Sequence, residues 1–366
     1  MIDVNGGMLI HWITVFPLHE LVTVQDWHNH QNYEEVSMTK CSYISRVCML
    51  VCIITLAAGQ SFAGEIVFAH GAKPGTPRYD AANMFAVLVA QSSHGKITVN
   101  VADSATLGDD AEMLKSVKAG TIQVTANSQG SFSQYIPEVG ALGLPFLFAN
   151  LPQAWAVLDG DIGRELKVLA LKKGFVVLGW WDDGIRNIFH VSKAIKSPAD
   201  VKGMKIRTPP DKATLDAFKA LGANPAPLAW NELPTALRNG TFEGQENSLT
   251  HIYSACLHEI TPYIALSAHK YEVTPVVANA RWWKSLSKDD KGIIKNAMVA
   301  AGWYQRGRNM IDAVTLVDTL KQEGAKFSNV DTAAFQKETA SVYDLWEKDL
   351  GAFVPRLKKA AVEAAK

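Results

Sequence analysis

Glu65-Ile66-Val67-Phe68-Ala69-His70 is the stretch on which the fold turns. It alternates like a strand, and Gly71, Pro74, Gly75, Thr76 and Pro77 break it at once. From about Tyr79 a helical period takes over, with Ala81, Phe85, Leu88 and Val89 at i, i+4, i+7 and i+8 on one face. Residues 96–101 read as a second strand and 109–119 as a helix, with Met113 and Val117 inward and Gly120 as its stop. Residues 121–126 give a third strand. This β-α-β-α-β order sets the class as α/β: a mostly parallel sheet covered by helices, with loops at the strand ends open to a ligand.

A second set follows. Residues 175–180 read as a strand, 183–191 as extended, 205–208 as a strand, and 211–221 as a helix closed by Gly222. Further helices are expected at 231–239, before Gly240, and from about Ser248. Two α/β lobes are implied, as the length of 366 residues already suggests. Ser287 with Asp290 resembles a capping box, and helical character then runs to about Glu323, long enough to brace both lobes. Residues 332–366 read as more helix, anchored by Phe335, Val342, Leu345 and Trp346.

Hydrophobic residues at 48% and charged residues at 20% are ordinary for a soluble protein. Lys and Arg balance Asp and Glu at 36 each, so no field favours nucleic acid or an anionic membrane. Residues 1–63 stand apart, because they hold three of the four cysteines and a targeting pattern. Lys40 and Arg46 flank a short basic region, 47–58 is an almost unbroken apolar run, and Ser61 and Ala63 frame a cut before Gly64. The run is too short to span a bilayer comfortably, where roughly 20 residues are needed. An export signal is expected, with translation starting at Met38 and delivery to the periplasm. His28 and His30 lie in the stretch ahead of that start and read as a leader without function. Removal of 1–63 leaves 34 basic and 31 acidic residues and a lone cysteine, Cys256, hence no intrachain disulfide.

The common catalytic signatures are missing: no G-x-S-x-G, no G-x-x-x-x-G-K-[ST], no G-x-G-x-x-G and no H-E-x-x-H. His70, His251, His258 and His269 follow no metal-like spacing, so no metal and no cofactor is expected. Asp182 and Asp183 are adjacent, and on an extended segment they point to opposite faces. Two arginines stand out. Arg186 lies in Gly184-Ile185-Arg186-Asn187, and Arg207 ends the strand Met204-Lys205-Ile206-Arg207. At the mouth of a sheet an arginine needs an anion, and its planar fork holds a carboxylate through two parallel bonds. Each of the two is read either as a ligand arginine or as a structural ion-pair partner.

At these residues the chain resembles the DctP-type solute-binding proteins of tripartite ATP-independent periplasmic (TRAP) transporters. The matching blocks come in order: Leu107-Gly108-Asp109-Asp110, Leu144-Pro145-Phe146, residues 184–187, Gly203-Met204-Lys205-Ile206-Arg207 and Gly244-Gln245-Glu246-Asn247. The resemblance implies a two-lobed periplasmic binding protein fold, mostly monomeric, with strands crossing between lobes and a long bridging helix. Lobe I would hold 64–183 and about 275–315, and lobe II 184–274 and about 316–366.

It also implies Arg207 as the carboxylate clamp, Arg186 as a second ligand arginine and Asn247 as a pocket asparagine, with Trp230 against the ligand. Trp181, Tyr271 and His269 are further pocket candidates by position, and Asn127 and Ser128 end the third strand on the first lobe's side. Gly71, Asn127 and Ser128 stand where sialic-acid-binding relatives differ, which counts against that ligand. A small organic acid is expected, with the small and large TRAP membrane subunits as partners. C4-dicarboxylates lead, because a second arginine would take a second carboxylate; an aromatic or branched 2-oxo or 2-hydroxy acid, or a sugar acid, is the alternative. A periplasmic enzyme using Glu272 or Asp183 as base, or a sensory binding module, is the reading from another class.

Overall fold

The computed structural model describes residues 64–366, and the expected signal segment with its cut after Ala63 lies outside them. Nine strands form one mixed sheet: β1 (Gly64–His70), β2 (Ile97–Ala102), β3 (Val124–Ala126), β4 (Phe175–His190), β5 (Lys205–Thr208), β6 (Asn224–Pro227), β7 (Gly244–Asn247), β8 (Tyr263–Asn279) and β9 (Lys326–Asn329). The order is β2-β1-β3-β8-β4-β7-β5-β6, with β9 also on β8.

The opening strand, on which the class was argued, pairs in parallel with both β2 and β3. Thr76 caps the first helix, α1 (Pro77–Ser92), by accepting from the Tyr79 amide. Asp109 and Glu112 close a capping box on α2 (Asp110–Ala119), and Gly120 ends it at φ 94°, a conformation that favours glycine.

The long antiparallel pair β4 and β8 organises the rest. The first half of β4 and the last half of β8 sit with β3, β1 and β2; the other halves sit with β7, β5, β6 and β9. Both long strands therefore belong to both halves of the sheet, as the expected crossing strands do. Their pairing slips near the middle, between Asp182 and Gly184 and again between Arg186 and Ile188. Gly184 there has φ 113°.

The long helix, α3 (Lys288–Gln322), starts on the Ser287 cap and packs against both halves. Its Ile294, Ala297, Met298 and Ala301 join the core under β1 and β3, and its Leu316 and Leu320 join the core of the second half. Contacts hold residues 64–366 in one compact unit.

The last helix, Phe353–Ala364, presents a one-sided apolar face at i, i+1, i+4 and i+8, burying Phe353, Val354, Leu357 and Ala361 in the same core as Leu142, Leu151 and Ala154.

Candidate functional site

A cavity of about 350 Å³ lies between the loops after β1 and β3 on one side and those after β5, β6 and β7 on the other, with β4 and β8 as its floor. Arg207, Arg186, Asn247, Trp230 and Ser128 of the expected residues line it.

Arg207 ends β5 and is 3% exposed. Its Nε and Nη2 both donate to the Leu228 carbonyl oxygen, at 3.0 and 2.7 Å, while Nη1 makes no hydrogen bond within the protein. Among the described residues it forms no salt bridge with any carboxylate. Burial pushes its guanidinium down to about 10, partly offset by Glu246 and Glu272, so it stays charged at neutral pH. The guanidinium carbon sits 5.9 Å from the Trp230 ring. Trp230 in turn meets the His251 ring edge-on at 5.9 Å.

Arg186 is equally buried but differs in kind, because all five of its donors are engaged. Nε reaches Glu246 Oε2 at 2.5 Å, and Nη2 reaches Glu246 Oε1 at 2.8 Å and its carbonyl at 2.7 Å. Nη1 donates to Asp183 Oδ2 at 2.8 Å and Asn247 Oδ1 at 2.9 Å, and Glu272 Oε2 lies 3.0 Å away. In this arrangement it acts as an ion-pair partner while still lining the cavity: three carboxylates from β4, β7 and β8 surround it. Asn247 holds its oxygen on Arg186 and the Ser248 amide, and its Nδ2 has no partner within the protein. That nitrogen remains a donor for a ligand.

Burial would raise the Asp183 carboxyl, but His251 at 2.6 Å, Arg186 and Arg78 at 3.0 Å override it and hold it well below the usual range. Glu246 is likewise held low, by Arg186 and with His269 Nε2 at 3.4 Å, against its own burial. Burial raises Glu272, against Arg186 and Lys270.

Four expected pocket residues do not line the cavity. Trp181 is fully buried among Phe68, Met298 and Ala301, beneath α3. Tyr271 donates to Asp182 Oδ1 at 2.5 Å and packs edge-on against Phe148. Tyr271 and the cavity residue Glu272 are neighbours on β8, and a strand sends neighbours to opposite faces. His269 bonds Ser267 at 2.8 Å and meets the Phe218 ring edge-on at 5.4 Å. Asn127 donates to the Asp110 carbonyl at 3.1 Å and stays behind the lining, leaving Ser128 as the member of that pair that reaches it. Asp182 and Asp183 do diverge: Asp182 accepts from Trp155 and Tyr271, Asp183 faces the cavity.

Sequence reading missed Arg78 and His251, which line the cavity and hold Asp183. Arg78 sits in the first turn of α1, where Pro77 and the Thr76 cap mark the helix start; the position of that turn at a strand end was the available signal.

The sequence model of the bacterial extracellular solute-binding protein, family 7 (DctP), matches residues 68–349. The uncharacterized protein y4mM of Sinorhizobium fredii (strain NBRC 101917 / NGR234) is 42% identical over 85% of this chain, which spans 58% of that protein's length. The 2,3-diketo-L-gulonate-binding periplasmic protein YiaO of Escherichia coli (strain K12) is 30% identical, covering 79% of this chain and 88% of that protein. Among solved structures, the sugar acid binding protein DctPAm from Advenella mimigardefordensis strain DPN7T, in complex with galactonate, aligns with a TM-score of 0.81. It is 31% identical and covers 83% of this chain and 100% of that chain. Since the family match runs through both halves of the sheet and the strands that frame the cavity, this chain belongs to the DctP-type solute-binding proteins, the two-lobed organic-acid-binding components of TRAP transporters.

Proposed function

We propose that this protein captures a hydroxylated monocarboxylate, of the sugar-acid kind, and hands it to the TRAP membrane subunits. One observation carries the reading: Arg207 is a buried arginine in the cavity with no carboxylate partner, while its neighbour Arg186 is enclosed by three. An arginine in that position binds an anion strongly, each charge-assisted hydrogen bond contributing about 1.5–3 kcal/mol. A single open clamp suits a single carboxylate. Beside apolar Pro209, Pro210, Leu228 and Trp230, the lining holds the hydrogen-bonding groups Asn231, Asn247, Ser128 and Gln134, which suit hydroxyls. Galactonate in DctPAm and 2,3-diketo-L-gulonate in YiaO, as those proteins are described, are acids of this kind.

The C4-dicarboxylate reading rested on Arg186 receiving a second carboxylate. For that, Arg186 would have to release Asp183 or Glu246. We further propose that residues 1–63 act as a leader removed before Gly64, and that the lobes meet near 183–184 and 274–275, beside the slip between the Asp182–Val273 and Gly184–Glu272 pairs. The protein works as a monomer in the periplasm and returns its ligand unchanged.

A thermal-shift screen of residues 64–366 against sugar acids, 2-oxo and aromatic acids and C4-dicarboxylates tests the ligand class. Stabilisation by hydroxylated monocarboxylates, lost in Arg207→Ala, is expected. Selective stabilisation by succinate or malate would replace the class with dicarboxylates.

A further inference from the structure

A second cavity, of about 260 Å³, lies between α3 and the middle of β4 and β8, with the start of the short helix Leu249–Ser254 at its side. Arg186 on β4 faces the first cavity and its neighbour Asn187 faces this one, as alternation along a strand requires.

The polar groups that point into it are unmet. Asn309 Nδ2 and Ser248 Oγ are buried without a hydrogen-bond partner, on side chains of residues only 4% exposed. Asn187 Oδ1 accepts from the Ala268 amide at 3.1 Å, and its Nδ2 makes no hydrogen bond within the protein. Gly184 keeps the space between them open, since a Cβ there would stand 3.3 Å from Asn309 Nδ2 and 3.6 Å from Ser248 Cβ. Each buried polar group left unmet costs about 1–3 kcal/mol, and folded proteins keep few of them. The walls around these groups are aliphatic, formed by Leu151, Ile185, Leu249, Leu266 and Val317. Water would serve the donors but gains nothing from such walls.

We propose that this cavity is a second binding site, for a compact neutral molecule that carries an acceptor oxygen on an aliphatic body, such as a lactone, a lactam or a cyclic ketone. Charge argues for neutrality. Among the described residues no Lys or Arg lines the cavity, so an anion finds no counterion there. Asp183 lines it, but its carboxylate is already held by Arg78, Arg186 and His251, so a cation finds none either. Asn309 and Asn187 offer N–H groups, which a carbonyl oxygen completes and an amine does not.

This site goes beyond the organic-acid reading and does not depend on it. It meets none of Arg207, Arg186 and Trp230, yet it shares a wall with the first cavity: Asp183 lines both, and the Ser248 amide donates to Asn247 Oδ1 at 2.9 Å. Its occupant rests beside the slip in the β4 and β8 pairing, where the two halves of the sheet join.

Titration of isotope-labelled residues 64–366 with caprolactam, followed through the side-chain amide signals and by calorimetry, tests this in wild type, Asn309→Leu, Ser248→Ala and Arg207→Ala. The Asn309 amide signal, identified by its loss in Asn309→Leu, is expected to shift saturably in the wild type, and with the same constant in Arg207→Ala. Cyclohexylammonium, which has donors only, should leave it in place. Caprolactam affinity should fall roughly tenfold or more in Asn309→Leu and roughly threefold or more in Ser248→Ala, the worth of one buried hydrogen bond or part of one. An unmoved Asn309 signal would leave water as the occupant and overturn the site. A constant weakened by Arg207→Ala would place the probe in the first cavity and overturn it equally. Ser248 makes no side-chain cap to the helix that follows, so Ser248→Ala decides by calorimetry alone if Asn309→Leu does not fold, and unchanged affinity in it overturns the site. Failure of every organic acid to bind would sink the organic-acid reading and leave these outcomes as they are.

Discussion

Arg207 directs two guanidinium nitrogens at one oxygen, the carbonyl of Leu228, at 3.0 and 2.7 Å. That contact orients the fork without neutralising it. The charge of Arg207 is left for whatever enters the cavity, whereas a carboxylate in the place of Leu228 would have cancelled it.

Replacing Arg207 with methionine is therefore expected to leave the ligand-free protein nearly as stable as before. Loss of an unpaired buried charge offsets the Leu228 carbonyl left without a donor. Acid binding should weaken by about 3 kcal/mol or more, on the order of 100-fold. Denaturant unfolding and calorimetry on the same samples check the two halves of this expectation.

Arg186→Met should behave in the opposite way. It strips the cation from among Asp183, Glu246 and Glu272, all buried. Breaking a buried pair in this manner costs about 3–5 kcal/mol. The loss should appear in urea unfolding without any ligand present. Unchanged stability with binding abolished would instead make Arg186 a ligand arginine.

The pH dependence of stability has two arms. Glu246 and Asp183 are held below the usual carboxylate range, so their contribution is full above the ordinary value of about 4 and is lost as pH falls below it. Burial raises the Asp182 carboxyl to about 6, against its bonds from Tyr271 and Trp155. The native state then binds the extra proton between about pH 4 and 6, and stability falls as pH rises through that window. Burial lowers the His70 imidazole to about 4 and acts the same way on His190 and His269, so those groups make stability rise with pH over the same window. The Asp182 contribution is therefore read as a difference: in urea unfolding from about pH 4 to 6 the wild type should lose stability relative to Asp182→Asn, with the acid arm common to both.

Two tryptophans separate binding from packing. Trp230→Ala removes the ring near the Arg207 guanidinium, a contact of about 0.5–2 kcal/mol, and should weaken acid binding roughly 3- to 30-fold with little change in melting temperature. Trp181→Ala opens the fully buried core under α3 and should destabilise by about 3–5 kcal/mol, with the order of ligand preference unchanged.

Much of the architecture was legible along the chain. The strand at 64–70, the capped α1 and α2 and the Ser287 cap of α3 are local events, governed by period, caps and breakers within a few residues. The strand β8 was not legible in that way. It is buried on nearly every residue, carries Lys270 and Glu272 and contains Pro275, so it shows neither alternation nor ordinary strand composition. Trp181, Tyr271 and His269 read as pocket residues for the same reason: proximity in sequence to cavity positions says nothing about which face of a strand is covered.

Arginine at a strand mouth, glycines at turns and the five ordered blocks were enough to name the α/β class and to bring Arg207, Arg186, Asn247, Trp230 and Ser128 to one cavity. Which arginine remains free was decided only by the folded arrangement. Glu246 lies 60 residues from Arg186, and Arg78 lies 105 from Asp183. Ion pairing falls off over a few ångströms, so a charge is matched or left open by neighbours that only the packed sheet brings together.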